Sequence, residues 1–151
     1  MATQVFTYAK GCFIEKAKLP LGTDSLLWVL LNNSVTVVDN TIRNYSTLAQ
    51  VLATYTEATF TNYARKPITT GITITTSTSA FSQTLFLTNP TWSAAGGVLN
   101  NTMAKMLLCY RPTSSALDSQ ILPLAHCDLT TLTTGNDYLV TVAAGGIAAA
   151  T

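Results

Sequence analysis

Charge is scarce in this sequence. Only 10% of its 151 residues are Asp, Glu, Lys or Arg, against roughly 25% in ordinary soluble domains. Eight basic residues face seven acidic ones, for a net charge of +1. That balance argues against a grip on nucleic acid, which needs several phosphate contacts from clustered cations. Apart from the Arg65-Lys66 pair, the cations are scattered. The basic amphipathic helix of a membrane-surface binder is missing as well. Histidine occurs once, as His126, and cysteine three times, as Cys12, Cys109 and Cys127. An odd number without CxxC spacing is neither a disulfide framework nor a zinc site. The longest strongly apolar run, "LLWVLL" at Leu26–Leu31, is strand-length and falls far short of the ~20 residues that span a bilayer. The opening "MATQVFTYAKGCFIEK" lacks the basic start and apolar stretch of a signal peptide. Synthesis in a reducing cytosol is expected.

What the chain does have is apolar residues, at 48%, and abundant Thr. The length suits one domain. A lightly charged, Thr-rich surface suits a protein covered by partners, because low charge gives weak colloidal protection. A monomer solvated by Thr and Asn is the alternative.

Short apolar runs separated by Pro, Gly and Asn predict many strands joined by turns. "SLLWVLL" (Ser25–Leu31) is apolar on both faces and predicts a central buried strand. Asn32-Asn33 would turn the chain, with "VTVV" (Val35–Val38) as the return strand. Leu48, Val51 and Leu52 at helical spacing, with Ser46 or Thr47 as cap, predict a short helix over about Thr47–Thr54. "EATFTNYARK" (Glu57–Lys66) alternates with period two and predicts a strand. Further strands are expected at about Ile72–Thr76, Gln83–Leu87 and Ala104–Tyr110, and in "QILPLAH" and "YLVTVAA". Val5–Tyr8 and Cys12–Ile14 would flank an early hairpin or belong to an extended arm. The expected fold is mainly β: an antiparallel sandwich or barrel of about eight strands with one short α-helix. Residues 1–24 would be the arm or first hairpin, 25–142 the sandwich domain, and 143–151 an apolar tail.

Catalytic constellations are weakly supported. "HCD" (His126–Asp128) joins a potential base to a thiol, but neighbours in a strand point to opposite faces and cannot readily form a Cys–His pair. "AAGGVLNNTMAK" has two glycines and a lysine without phosphate-loop spacing. Gly96-Gly97 is better read as a positive-φ turn, and Asn100-Asn101 as a source of side-chain bonds to backbone. The seven carboxylates form no close pair in sequence, and no EF-hand loop or HExxH occurs. No catalytic residue, cofactor or metal is expected. Trp28 inside "LLWVLL" is expected in the core, as is Cys109. Trp92, near Pro90 and the glycine pair, is expected to be a surface or interface aromatic, with a sugar platform as a further possibility. In "EATFTNYARK", a subunit contact through Tyr63 and Arg65 and a local ion pair of Arg65 both stay open.

The ordered segments "EATFTNYARK", "W…AGG…NNTMAK…LLCY" and "DSQILPLAHCD", over roughly Thr41–Asp128, resemble small structural proteins of tailed-bacteriophage virions. The resemblance implies a virion component made in the host bacterial cytoplasm, and carries over no catalytic residues. Capsid decoration is the first expectation: a cement protein binding the major capsid protein or another virion protein and bracing its neighbours. A tail, head–tail connector or fibre component, and a carbohydrate-binding module for host attachment, are the alternatives. Self-association is expected, with a trimer as first guess, and neither nucleic acid nor membrane as partner. Candidate interface residues are Tyr8, Phe13, Tyr63, Arg65, Trp92 and Ile147.

Overall fold

The computed structural model describes residues 3–18, 22–79, 82–142 and 147–150. The fold is mainly β, and all strand pairing among the described residues is antiparallel. The strands are β1 (Thr3–Val5), β2 (Ser25–Asn32), β3 (Lys66–Ile68), β4 (Thr73–Ser77), β5 (Ser82–Phe86), β6 (Thr91–Trp92), β7 (Met103–Arg111), β8 (Leu122–Asp128), β9 (Tyr138–Leu139) and β10 (Ile147–Ala150). The helices are α1 (Phe13–Lys18), α2 (Asp39–Ile42) and α3 (Leu48–Thr54), with a 3-10 turn at Thr7–Ala9. A five-stranded sheet runs β1-β8-β7-β2-β3. A three-stranded sheet runs β10-β5-β4, and β6 pairs with β9.

Strand β2 is the expected central strand, and all eight of its residues are buried. A strand covered on both faces needs no polar alternation, which is why its sequence reads as one apolar run. Its register sets Trp28 opposite Leu108 on β7 and Lys66 on β3. Cys109 and Trp28 both lie in the core. Helix α3 starts where the sequence predicts. The Thr47 hydroxyl accepts from the Gln50 N–H, and the Gln50 side chain reaches back to the Ser46 N–H at 2.8 Å. Two further free N–H groups of its first turn, on Leu48 and Ala49, donate to the Ile121 and Asp118 carbonyls. The short helix is thus tied to the β7–β8 loop as well as to the core.

Three expectations are corrected. "VTVV" is not a strand: β2 already has β7 on one side and β3 on the other, and Asn32 holds the departing chain in a turn by accepting from the Ser34 N–H. Residues 57–66 are not a continuous strand. Ala58 and Phe60 do point into the core, and Glu57 bridges Leu31, but Asn62 takes φ 68° and reverses the chain before β3 begins at Lys66. The early segment is helical rather than a hairpin. Phe6, Ala9, Phe13 and Ala17 are buried at spacings of three and four, which is a helical stripe. The segment is anchored by β1 against β8. In the apolar tail, Ile147–Ala150 pairs with Leu85–Ser82; residues 143–146 and 151 lie outside the described residues. No described helix is long and apolar enough to cross a membrane.

Candidate functional site

The most exposed large apolar side chain among the described residues is Val98, at 98%. It sits at the tip of a loop, residues 94–101, that the rest of the chain holds from two sides. Gly96 and Gly97 take φ values of 95° and 97°, as the glycine pair predicts. The Asn100 side chain closes the turn, accepting from the Gly97 N–H at 2.8 Å. On one flank the Thr61 hydroxyl accepts from the Leu99 N–H, the Thr61 N–H donates to the Leu99 carbonyl, and the Asn62 amide donates to the Ala94 carbonyl. On the other flank the Thr133 hydroxyl accepts from the Asn101 N–H, the Asp137 carboxylate from the Ala94 N–H, and the Asn136 carbonyl from the Ala95 N–H. Leu99 and Leu132 are also exposed beside this tip, Leu132 through the bridge from Thr102 to residue 132. The result is a backbone fixed by hydrogen bonds that displays apolar side chains. Fixing a contact loop in advance lowers the ordering cost of binding.

Gly96 is the keystone of that loop. A Cβ at this position would lie 2.1 Å from Asn100 Oδ1 and 2.9 Å from Thr133 Oγ1, in a backbone region that L-residues rarely adopt. Gly96→Ala is expected to destabilise the protein by about 2 kcal/mol, read as a lower midpoint in urea. Unchanged stability would mean that the loop is not held as described.

The polar groups of "EATFTNYARK" are internal structure. Arg65 places Nε and Nη2 on the two Glu57 oxygens, both at 2.7 Å, and its Nη1 and Nη2 on Asp118 at 2.5 and 3.0 Å. Tyr63 donates to Glu57 Oε1 at 2.8 Å and accepts from the Leu30 N–H at 3.1 Å. Burial and the neighbouring Glu57 carboxylate push the Tyr63 phenol well above its ordinary range. Hydrogen bonds to Glu57 and then Asp118 raise Arg65 further. A local ion pair is therefore what Arg65 makes, and these groups are engaged within the chain.

A second cluster surrounds Lys105, which is buried on β7. Its ammonium meets Asp39 at 2.5 Å and also Asp128, its cross-strand neighbour. Burial by itself lowers the Lys105 pKa, and the two carboxylates more than offset it. The hydrogen bond from Lys105 lowers Asp39, which also accepts from Gln4. So the fold brings scattered carboxylates into two pairs, each bridged by a cation, an arrangement that holds strands and loops together. In "HCD", burial pushes the Cys127 thiol up to about 11. His126 Nε2 has no hydrogen-bond partner, and its ring packs edge-on against Phe6. Asp128 bonds Lys105. Among the described residues no group of three or more His, Cys, Asp or Glu is placed to hold a metal ion.

Two expected interface residues are corrected outright. Trp92 is buried; its indole N–H donates to the Ala64 carbonyl at 2.8 Å, and its ring packs on Tyr138. The sugar platform built on Trp92 therefore has no exposed face. Phe13 is a core residue of α1. Tyr8 is 64% exposed. Ile147 lies in β10, opposite Leu85. Sequence reasoning missed Val98 and Leu99 because an apolar pair between a glycine turn and the strand expected at Ala104–Tyr110 carries no local signal of whether it is exposed.

No family model matches the chain, and no curated protein or solved structure matches it significantly.

Proposed function

We propose that this protein is a non-enzymatic virion structural protein, a capsid decoration protein that binds the head shell and braces neighbouring capsid subunits. The observation that carries the reading is the pinned 94–101 loop with Val98 at its tip. A fully exposed apolar side chain at the tip of a hydrogen-bonded loop is suited to a pocket in a partner and has no packing role in its own fold. Three further points support it. Arg65, Glu57, Asp118, Lys105 and Asp39 are engaged with one another in ion pairs within the domain, which removes much of an already sparse charge from contact with a partner. The segments over Thr41–Asp128 resemble tailed-phage structural proteins. Many copies on one shell make a modest contact per copy sufficient.

The test is co-sedimentation of the purified protein with expanded capsid shells that lack it. Saturable binding at a fixed ratio to capsid protein is expected. Val98→Asp is expected to weaken that binding about thirtyfold or more, with stability changed by less than about 0.5 kcal/mol because the residue touches little. A protein that stays in the supernatant while shells pellet would end the head reading and direct the search to isolated tails.

A further inference from the structure

A second surface lies at a sheet edge, and its reading does not rest on the capsid-binding role proposed above. Strand β4 (Thr73–Ser77) borders the three-stranded sheet and pairs only with β5. An antiparallel strand turns the N–H and C=O of every second residue towards each of its two sides. At an edge, one of those sets has no strand to meet. Among the described residues, no backbone bond runs from Thr73–Thr76 to any part of the chain outside the β4–β5 pairing.

Proteins guard such an edge by keeping it short, or with charge, proline, a bulge or a cover. The other described edges follow that rule. β1 and β3 have three residues each, and β6 and β9 two. β3 also carries Lys66 and Pro67. β10, on the far side of the sheet from β4, comes against β1. β4 has none of these devices. It runs for five residues in unbroken register with β5, and its sequence TITTS is β-branched except at the last position. Thr73 and Thr75 are exposed on one face, while Ile74 lies against the core on the other. No Asp, Glu, Lys, Arg or His occurs between Pro67 and Ala104, so the whole β4–β5 segment is uncharged.

We propose that β4 is a self-association edge, at which two copies of this chain pair antiparallel about a two-fold axis. An antiparallel edge is its own complement, because the rotated copy presents N–H groups where the first presents C=O groups. With the axis at the strand centre, Thr75 faces its own counterpart and Ile74 faces Thr76. Thr–Thr pairs are favourable across strands, whereas like charges directly opposite are not. Between identical edges, any charge near the axis meets its own copy. Self-pairing is therefore the contact that a charge-free edge favours most, while a strand from a different protein could use opposite charges for matching. The pairing joins two three-stranded sheets into one running β10-β5-β4-β4-β5-β10 and leaves no β4 edge open. It closes at two copies, not at the three first expected. Five residues per copy make a contact well below the roughly 1,200–2,000 Å² of stable interfaces, so the dimer is weak and reversible.

The test is sedimentation equilibrium of the full-length protein over about 0.02–1 mM, with amide hydrogen exchange at both ends of that range. The average mass should rise from one chain towards two, with little response to sodium chloride because no charge is involved. Protection should grow at alternate residues of β4 and stay constant in β1 and β3. Thr75→Lys and Thr75→Glu each set like charges face to face, and each alone should weaken association about tenfold or more. An equimolar mixture of the two should associate at least as tightly as the parent. Thr75 is exposed, so both variants should keep the parent's urea midpoint. A mass of one chain throughout, β4 protection that ignores concentration, association that Thr75→Lys leaves unchanged, or a mixture as weak as its components overturns the proposal. None of these results bears on capsid binding, which Val98→Asp tests separately.

Discussion

Arg65→Met is expected to lower the folding stability by about 2–4 kcal/mol. The arginine is the only cation between Glu57 and Asp118 among the described contacts, and four of its hydrogen bonds go to them. Methionine keeps the apolar stem but leaves two carboxylates facing each other, with the Tyr63 hydroxyl still donating to one of them. The loss is then more than a missing attraction, because charges shielded from water are left without their counter-ion. The side chains retain 22–35% of their exposure, so water recovers part of the cost and the low end of that range is favoured. The network also joins distant pieces of chain: the 57–65 segment, the β7–β8 loop through Asp118, and β2 through the Leu30 N–H. The check is urea denaturation of Arg65→Met, alone and combined with Glu57→Gln and Asp118→Asn. The neutral triple variant should regain a large share of the loss, since neutral amides tolerate the same place without a counter-ion. A single variant within 0.5 kcal/mol of the parent, the scale of about one exposed pair, would show that the cluster is a surface feature.

This cluster also marks where the sequence stopped being readable. The elements that depend on local pattern were legible: the apolar run of β2, the Thr47-capped helix, the strands around Thr73–Ser77, Ser82–Phe86 and Met103–Arg111, and the positive-φ glycines. In "EATFTNYARK" the alternation was real through Phe60 and failed at a single residue, Asn62, whose left-handed backbone no periodicity reveals. "VTVV" has every local property of a strand, and loses to β7, whose partner residues lie more than seventy positions further along. The choice between those two is made by packing on both faces of β2, which is a non-local quantity. Trp92 was misplaced for a similar reason. Its neighbours Pro90 and Gly96-Gly97 signal a surface loop, but the short β6–β9 pairing folds the indole inward onto Tyr138. The early helical stripe, by contrast, was legible in Phe6, Ala9, Phe13 and Ala17 and was obscured by the glycine between them. At the candidate site the turn chemistry of Gly96, Gly97 and Asn100 could be read. Its flanking supports, Thr61 and Thr133, could not, because they come from segments more than thirty residues away in sequence on either side.

The protein should lose stability in mild acid. His126 is buried on β8 between β1 and β7, and burial first, then the nearby Lys105 charge, lowers its pKa from the ordinary 6.5 to about 4. Arg43 acts in the same direction, while Asp39 and Asp128 oppose it without prevailing. The unfolded chain therefore binds a proton near pH 6.5 that the folded chain refuses until about pH 4. Stability is full above the unfolded value, falls as pH drops through this window, and bottoms out below it. The whole loss is about 3 kcal/mol. Asp39 behaves separately: held below its ordinary 3.8 chiefly by the hydrogen bond from Lys105, it keeps its contribution through the histidine window and yields it only in stronger acid. The edge-on contact with Phe6 suggests the control variant, His126→Phe, which keeps an aromatic ring and removes the titration. Its urea midpoint should be nearly flat between pH 6.5 and 4.5 while that of the parent falls, whatever constant packing cost the larger ring adds. A histidine NMR titration midpoint near 6.5 in the folded protein, or parallel pH profiles for parent and variant, would show that His126 charges freely in place and that the acid response lies elsewhere.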